Sequence, residues 1–439
     1  MVGRIRNLSK NPIFNGLFIV TSGSILTTFL SYYYNFQTQS LFPGFAEFGD
    51  YVFIITLLTI SQIIPASVSG TLNLIVTELK VKNEYAKLTL LYIKMLVLFS
   101  LVGFVLGFFV FSISNLISDI FQVKNVYYIQ LLGLLIFLST ASIPHSSFLY
   151  GLLKFKSSSF LGVFGSILKI VLLVYFYNLG FGFVSILYSF IIAITVNFIL
   201  GNLLLVTHFD KNYKLNDVSL YTKKLIMFSL PLFFILTGTS ILNQLDIIFL
   251  KTRLTTELSG MYGYLNNFGK IFYFGSFLFI GAMAPQITES YNKKENYFKI
   301  FWFYFKIVFS IVSLGLITLV FFAKEFLDIF IYFSAYIGLR QSSLLNFYSI
   351  LEYIPLYSVF ISVYVFVNFL VIFLIAVSAF RIYVAFISAV LLQGLLIFVF
   401  ANDIYTAIYC NLLVSSLLLA YLIYEIYKKY TSFNNSSNL

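Results

Sequence analysis

Charge is scarce in this sequence. Lysine, arginine, aspartate and glutamate make up 10% of its 439 residues, where a soluble domain carries about 25%, so an ordinary water-covered fold is excluded. There is one cysteine, Cys410, which rules out a disulfide within the chain and a thiolate metal site. Histidine is limited to His145 and His208. No HExxH, GxSxG, GxxxxGK(S/T) or paired-cysteine motif occurs, so no metal or cofactor is expected and nothing resembles a nucleotide-binding domain. What the chain has instead is apolar and aromatic mass: 60% hydrophobic residues, 54 Phe and 33 Tyr. A mean hydropathy of +0.96 excludes disorder as well.

Apolar runs bounded by charge, Asn and Gly predict twelve spans. They lie near 13–34, 51–77, 88–112, 127–153, 159–178 and 182–206, then near 223–250, 262–288, 297–322, 353–377, 382–400 and 404–426. The runs are long and continuously apolar, without the two-residue alternation of barrel strands, so the expected class is an all-α polytopic membrane protein. A net charge of +11 would suggest nucleic acid in a soluble protein. Here the cations are thinly spread between spans, the pattern of membrane orientation, and no nucleic-acid partner is expected. With both termini placed in the cytoplasm, eighteen cations fall in inner loops and five, Lys124, Lys251, Arg253, Lys324 and Arg340, in outer ones. The basic N-terminus leads into an apolar run with no cleavage site, and reads as a retained first helix.

The chain also repeats itself. A shift of 211 positions aligns Gly49 with Gly260, Tyr51 with Tyr262, Gly70 with Gly281, Glu78 with Glu289, Lys82 with Lys293 and Glu84 with Glu295. One inserted residue later, Lys87 and Lys94 align with Lys299 and Lys306. Six spans per unit is an even number, so both units would enter the membrane in the same direction. The expectation is two six-helix lobes, 1–207 and 225–439, related by a pseudo-two-fold along the membrane normal, with a cytoplasmic linker at 208–224 and a shared cleft.

Charges inside spans cost about 2.5–3.5 kcal/mol each at a helix centre, so they mark function or pairing. Lys169 shares one face of the fifth span with Ser158, Gly162, Gly165 and Ser166. That face turns toward other helices or a cavity, and the lysine is either an anion site or a locally paired side chain. Thr59, Gln62, Ser69 and Asn73 form a polar stripe on the second span, which should not face lipid. The repeat carries Thr59 onto Lys270, which would point into the same cleft or snorkel outward. Lys94 and Lys306 form a basic pair at the cytoplasmic mouth, best suited to lipid headgroups. Asp246 is the acid expected inside a span, with ion coupling and pairing to Lys251 or Lys270 both open.

Several stretches resemble the polysaccharide flippases of the multidrug/oligosaccharidyl-lipid/polysaccharide exporter superfamily. They are Phe45-Ala-Glu-Phe-Gly49-Asp-Tyr51, Leu149-Tyr-Gly151-Leu-Leu-Lys154-Phe-Lys156, Asn178-Leu-Gly180-Phe-Gly182, Ser229-Leu-Pro231, Gly260-Met-Tyr262 and Ala284-Pro285. The sequence departs from those relatives in lacking an arginine at Gly70-Thr-Leu-Asn73 and in having Ser334 after Phe333. The resemblance implies a flippase that moves undecaprenyl-pyrophosphate-linked oligosaccharide from the inner to the outer leaflet of the cytoplasmic membrane by alternating access. Lys169 and Lys270 would meet the pyrophosphate. Membrane lipid, and the glycosyltransferases and polymerase of the same glycan, would be partners, and the protein would not be an enzyme. A multidrug extrusion antiporter of the same superfamily is the alternative. A glycan polymerase or ligase fits less well, because the longest outer segment, Ala323 to Glu352, is apolar and aromatic and looks interfacial.

Overall fold

A chain this apolar can satisfy its backbone inside a bilayer only by hydrogen bonding within each segment, and it folds as helices throughout. The computed structural model describes residues 12–42, 44–209, 233–235, 237–336, 345–379 and 382–437, with Tyr221 and Leu225, and no strand occurs among them. The first half holds α1 (Pro12–Leu41), α2 (Phe45–Ser61), α3 (Ile63–Val81), α4 (Tyr85–Ser112), α5 (Ser114–Phe121), α6 (Val126–Ala141), α7 (Ile143–Gly151), α8 (Phe155–Asn178) and α9 (Val184–Val206). The second holds α10 (Phe233–Leu242), α11 (Leu245–Arg253), α12 (Thr256–Asn292), α13 (Tyr297–Phe321), α14 (Ala323–Tyr336), α15 (Ile354–Ala376), α16 (Tyr383–Phe400) and α17 (Ile404–Ser437), with a 3-10 turn at Leu345–Tyr353. Apart from His208, Phe209 and Tyr221, the expected linker lies outside the described residues. So do Arg4, Arg6, Lys10, Arg340, Arg381 and Ser229–Pro231.

Among the described residues eight helices are long and apolar enough to cross a membrane, and counting each of two bent pairs, α2 with α3 and α10 with α11, as one span gives up to ten. The helices α1 and α12, 30 and 37 residues long, exceed the roughly 20 residues a crossing needs. The total is the expected twelve, six in each half. The 43° bend between α2 and α3 has a covalent cause: Pro65 has no N–H for the carbonyl of Ser61. The short helices α5 and α14 follow the third and ninth spans, and α14 occupies the outer segment read as interfacial. By contacts the chain divides into two units, 1–39 with 57–233 and 40–56 with 234–439.

The sequence repeat is visible in the backbone. Asn83 and Lys294, 211 positions apart, are both left-handed, with φ of 56° and 58°. Around them the same bonds recur: Asn83 N–H to Lys80 O and Glu84 N–H to Leu79 O in one half, Lys294 N–H to Tyr291 O and Glu295 N–H to Ser290 O in the other. Lys82 pairs with Glu78 at 2.8 Å and Lys293 with Glu289 at 2.5 Å, and in each case the hydrogen bond to the glutamate pushes the lysine pKa up. A second pair of matching turns has Leu153 (φ 59°) in one half and Ser378 (φ 57°) in the other, at a sequence offset of 225, the extra residues lying in the longer segment before α15. Six-helix units with the same turns at the same ends are what duplication of one unit produces.

The repeated Gly-x-Tyr stretches meet inside the second unit. A Cβ on Gly260 would lie 1.9 Å from the carbonyl oxygen of Phe45, and one on Gly49 3.1 Å from the Cα of Gly260. The two helix starts therefore touch backbone to backbone, as small residues allow. Gly260→Ala should cost at least the 1–3 kcal/mol typical of overpacking, seen as a fall in membrane protein level. Gly70→Ala, where a Cβ meets nothing within 4 Å, should leave the level unchanged.

Candidate functional site

The small face of α8 packs against its own unit. A Cβ on Gly162 would touch Thr27 of α1, and Gly165 makes room for the Asn197 amide of α9. One turn further, the Lys169 ammonium sits 4.2 Å from the centre of the Tyr34 ring and 4.4 Å from that of Phe190. Tyr34 is fully buried, its hydroxyl 2.9 Å from Ser189 Oγ, and its ring meets Phe190 edge to face at 5.2 Å. The cage is thus built by contacts within the unit itself. Ring faces stabilise an ammonium by about 0.5–2 kcal/mol, which offsets part of its insertion cost, and they carry no countercharge that would neutralise it. No salt bridge to Lys169 occurs among the described residues, and the residue is only partly buried. The arrangement can therefore present a fixed positive charge to an anion.

The polar stripe of the second span is used differently. Gln62 Nε2 donates to Ser139 Oγ at 2.7 Å, Ser69 and Ser147 share a 2.7 Å hydrogen bond, and Thr77 Oγ1 donates to Gly151 O at 2.9 Å. The Asn73 amide nitrogen, turned to face its acceptors, lies 2.9 Å from Ser147 O. The stripe thus holds α3 to α6 and α7, and Thr59 is half-buried beside it. Polar residues that zip helices together satisfy the same rule against lipid exposure as cleft-lining ones, and sequence alone does not separate the two.

Lys94 and Lys306 are both exposed, at matching positions on α4 and α13. Lys270 lies on α12, with its side chain outside the described residues. At the C-terminal end of α3, Lys80 Nζ donates to Leu152 O at 2.8 Å. Burial, with Lys154 and Lys80 nearby, pushes the His208 pKa below its usual value, so His208 adds no charge at neutral pH.

Asp246, at the start of α11, is 1% exposed. Tyr262 donates to its Oδ2 at 2.5 Å, Asn411 Nδ2 donates to the same oxygen at 2.9 Å, and its own helix offers Ile247 N–H to Oδ1 at 2.8 Å. Gln393 in turn donates to Asn411 Oδ1 at 2.7 Å. Three helices of one unit, α11, α12 and α17, thus meet at one carboxylate, and α16 is joined to them through Asn411.

Of the pairings left open for Asp246, the one with Lys251 does not form. Lys251 is not a loop cation but sits inside the unit, 2.7 Å from Asp50 Oδ1, with side chains only 1% and 4% exposed. Asp50 is therefore a second buried acid, missed because in the sequence it stands just before the apolar run at 51–77, where an aspartate reads as a cap. Its partner is 201 positions away. The one available signal was the placement of Asp50 between Gly49 and Tyr51, in a stretch already marked by the repeat.

The match to known proteins agrees with this architecture. A multidrug resistance MATE family transporter of the MOP superfamily, in its inward-facing conformation, superposes with a TM-score of 0.72 over 94% of this chain and 96% of that one, at 13% identity. The outward-facing conformation of such a transporter gives 0.66 over 97% of both chains at 15% identity. A MOP superfamily transporter from Pyrococcus furiosus, described as having a binding pocket of reverse polarity that suggests a different function, gives 0.60 over 95% and 97% at 14% identity. A comparison with curated proteins gives no match. The family model described as "Polysaccharide biosynthesis protein" matches residues 44–273, a stretch running from the first Gly-x-Tyr helix start past Asp50, Lys169, Asp246 and the second helix start. The chain belongs to that polysaccharide biosynthesis family, built on the two-lobed, twelve-helix fold of the MOP superfamily transporters.

Proposed function

We propose that this protein is a flippase that moves a pyrophosphate-linked oligosaccharide on a polyprenyl carrier from the inner to the outer leaflet of the cytoplasmic membrane by alternating access, with both termini in the cytoplasm. A headgroup bearing sugars and a pyrophosphate cannot enter hydrocarbon without a polar, cationic path. The observation that carries the proposal is Lys169, a basic side chain within a membrane lobe, held by two rings that bring no countercharge. It would meet the pyrophosphate as a point charge, with Lys270 as its counterpart in the second half. A multidrug extruder, which binds cations, would instead rely on acids open to the drug, whereas Asp50 is neutralised by Lys251 and Asp246 is enclosed by Tyr262, Asn411 and its own helix. The glycosyltransferases and polymerase of the same glycan would act before and after it. The test is delivery of the glycan to the outer face of cells whose own flippase has been removed. Restored delivery supports the reading, and resistance to cationic drugs without delivery contradicts it.

The reading gives Asp246 the role of coupling group, because α11, α12 and α17 meet at its carboxylate, with α16 joined through Asn411, and would respond to its protonation or to a bound monovalent cation. Asp246→Asn keeps an acceptor for Tyr262 and should leave the protein folded and inserted. It should abolish stimulation of transport by an imposed proton or sodium gradient in vesicles. Unchanged gradient dependence would reduce Asp246 to a structural residue.

A further inference from the structure

The second lobe carries an apolar groove of about 450 Å³ between α13, α15 and α17, walled by Phe298, Phe301, Trp302, Phe305, Phe366 and Tyr427 among others. Along α13 the rings of Phe301, Phe305 and Phe309 stack in sequence, at centroid spacings of 6.0 and 5.9 Å, into a continuous flat wall. The repeat does not carry this wall at the matching positions. The corresponding positions on α4, at an offset of 212, are Thr89, Ile93 and Val97, and Trp302 corresponds to Leu90. Lys299 and Lys306, by contrast, keep their counterparts Lys87 and Lys94. The second half has thus acquired an aromatic wall at the end of the helix that already carried a basic rim.

The rim flanks the wall. At 100° per residue, Lys299 and Lys306 lie about 80–100° round α13 from the groove-lining rings, and Lys429 lies at a similar angle from the lining face of α17. Both lysines of α13 are exposed. Long cationic side chains at such positions reach the headgroup region while their stems cover apolar surface. An apolar slot with cations beside it matches a molecule that joins a long hydrocarbon tail to a phosphate. Resting on the flippase reading and on its cytoplasmic placement of this end of α13, we infer that the groove holds the polyprenyl tail of the lipid-linked glycan in the inner leaflet, with the flanking lysines near its phosphate. The aromatic wall would select a methyl-branched polyprenyl chain over the straight acyl chains around it.

Trp302 is the only tryptophan of the chain and lines the groove, so the intact protein reports on it. In nanodiscs of phosphatidylcholine, titration with polyprenyl phosphate should shift Trp302 emission saturably, while phosphatidylglycerol at equal mole fraction and inorganic phosphate should not. Lys306→Gln should weaken the apparent affinity about fivefold, the value of one lysine near an anionic lipid. Phe305→Leu should weaken it too, whereas Phe321→Leu, on the outer end of α13 and 73% exposed, should not. Absence of a shift, or an equal shift with phosphatidylglycerol, overturns the proposal. So does unaltered affinity in Phe305→Leu protein that inserts normally. Headgroup flipping measured on the same preparation separates the two ideas: flipping without a Trp302 response removes the tail groove and leaves the flippase, and a selective response without flipping does the reverse.

Discussion

Replacing Lys169 with methionine should lower delivery of the pyrophosphate-linked glycan about thirtyfold or more, the effect of losing about 2 kcal/mol from one side of a desolvated charge pair. Methionine fills much of the space between Tyr34 and Phe190 without the charge, so the cage is conserved and only the cation is tested. Arginine retains the charge and stacks on rings, and should keep part of the activity, because its planar fork meets a phosphate differently from an ammonium. Alanine empties the cage and tests packing together with charge. Protein level should stay near normal in the methionine variant, since the insertion cost of about 2.5 kcal/mol disappears along with the ring contacts. Normal delivery by Lys169→Met at normal level would remove the anion site. A fall explained wholly by lost protein would make Lys169 a folding residue.

The buried pair of Asp50 and Lys251 should show the largest effect on stability. Removing either partner strands a charge inside the lobe, and Asp50→Ala or Lys251→Ala should each cost about 3–5 kcal/mol. Replacing both by apolar residues of similar size, Asp50→Leu with Lys251→Met, should recover most of that loss, because desolvation of two ions is removed with their attraction. The measurement is a double-mutant cycle on the thermal midpoint of the purified protein, with membrane level as a second reading. Two neutral single variants would mean that the 2.7 Å contact contributes nothing. A double variant as unstable as the singles would point to packing rather than charge.

The spans were legible because hydropathy along a membrane chain is a nearly one-dimensional signal. Tyr297–Phe321, Ile354–Ala376 and Tyr383–Phe400 start and stop within a residue of the apolar runs. The repeat was legible because charge is rare: Glu78 and Lys82 recurring as Glu289 and Lys293 stood out, and they proved to be the same salt bridge twice. Contacts made by common residues were not legible. With 54 Phe and 33 Tyr in the chain, nothing singled out Tyr34 and Phe190 as the partners of Lys169. The stripe of Gln62, Ser69 and Asn73 showed which face of a helix is polar, but not that α6 and α7 would be the neighbours covering it. The pairing of Asp50 with Lys251 joins two helix ends far apart in the chain, and helical periodicity carries no information about such a pair.

Flipping itself is the most direct test. The purified protein would be placed in vesicles containing a polyprenyl-pyrophosphate oligosaccharide in both leaflets, and a glycosidase added outside would report which headgroups it can reach. Wild-type protein should make the inner-leaflet pool accessible over time, and Lys169→Met protein at equal density should leave it protected, as in protein-free vesicles. An inner pool that stays protected with folded wild-type protein, under an imposed proton or sodium gradient as well as without one, would contradict the account.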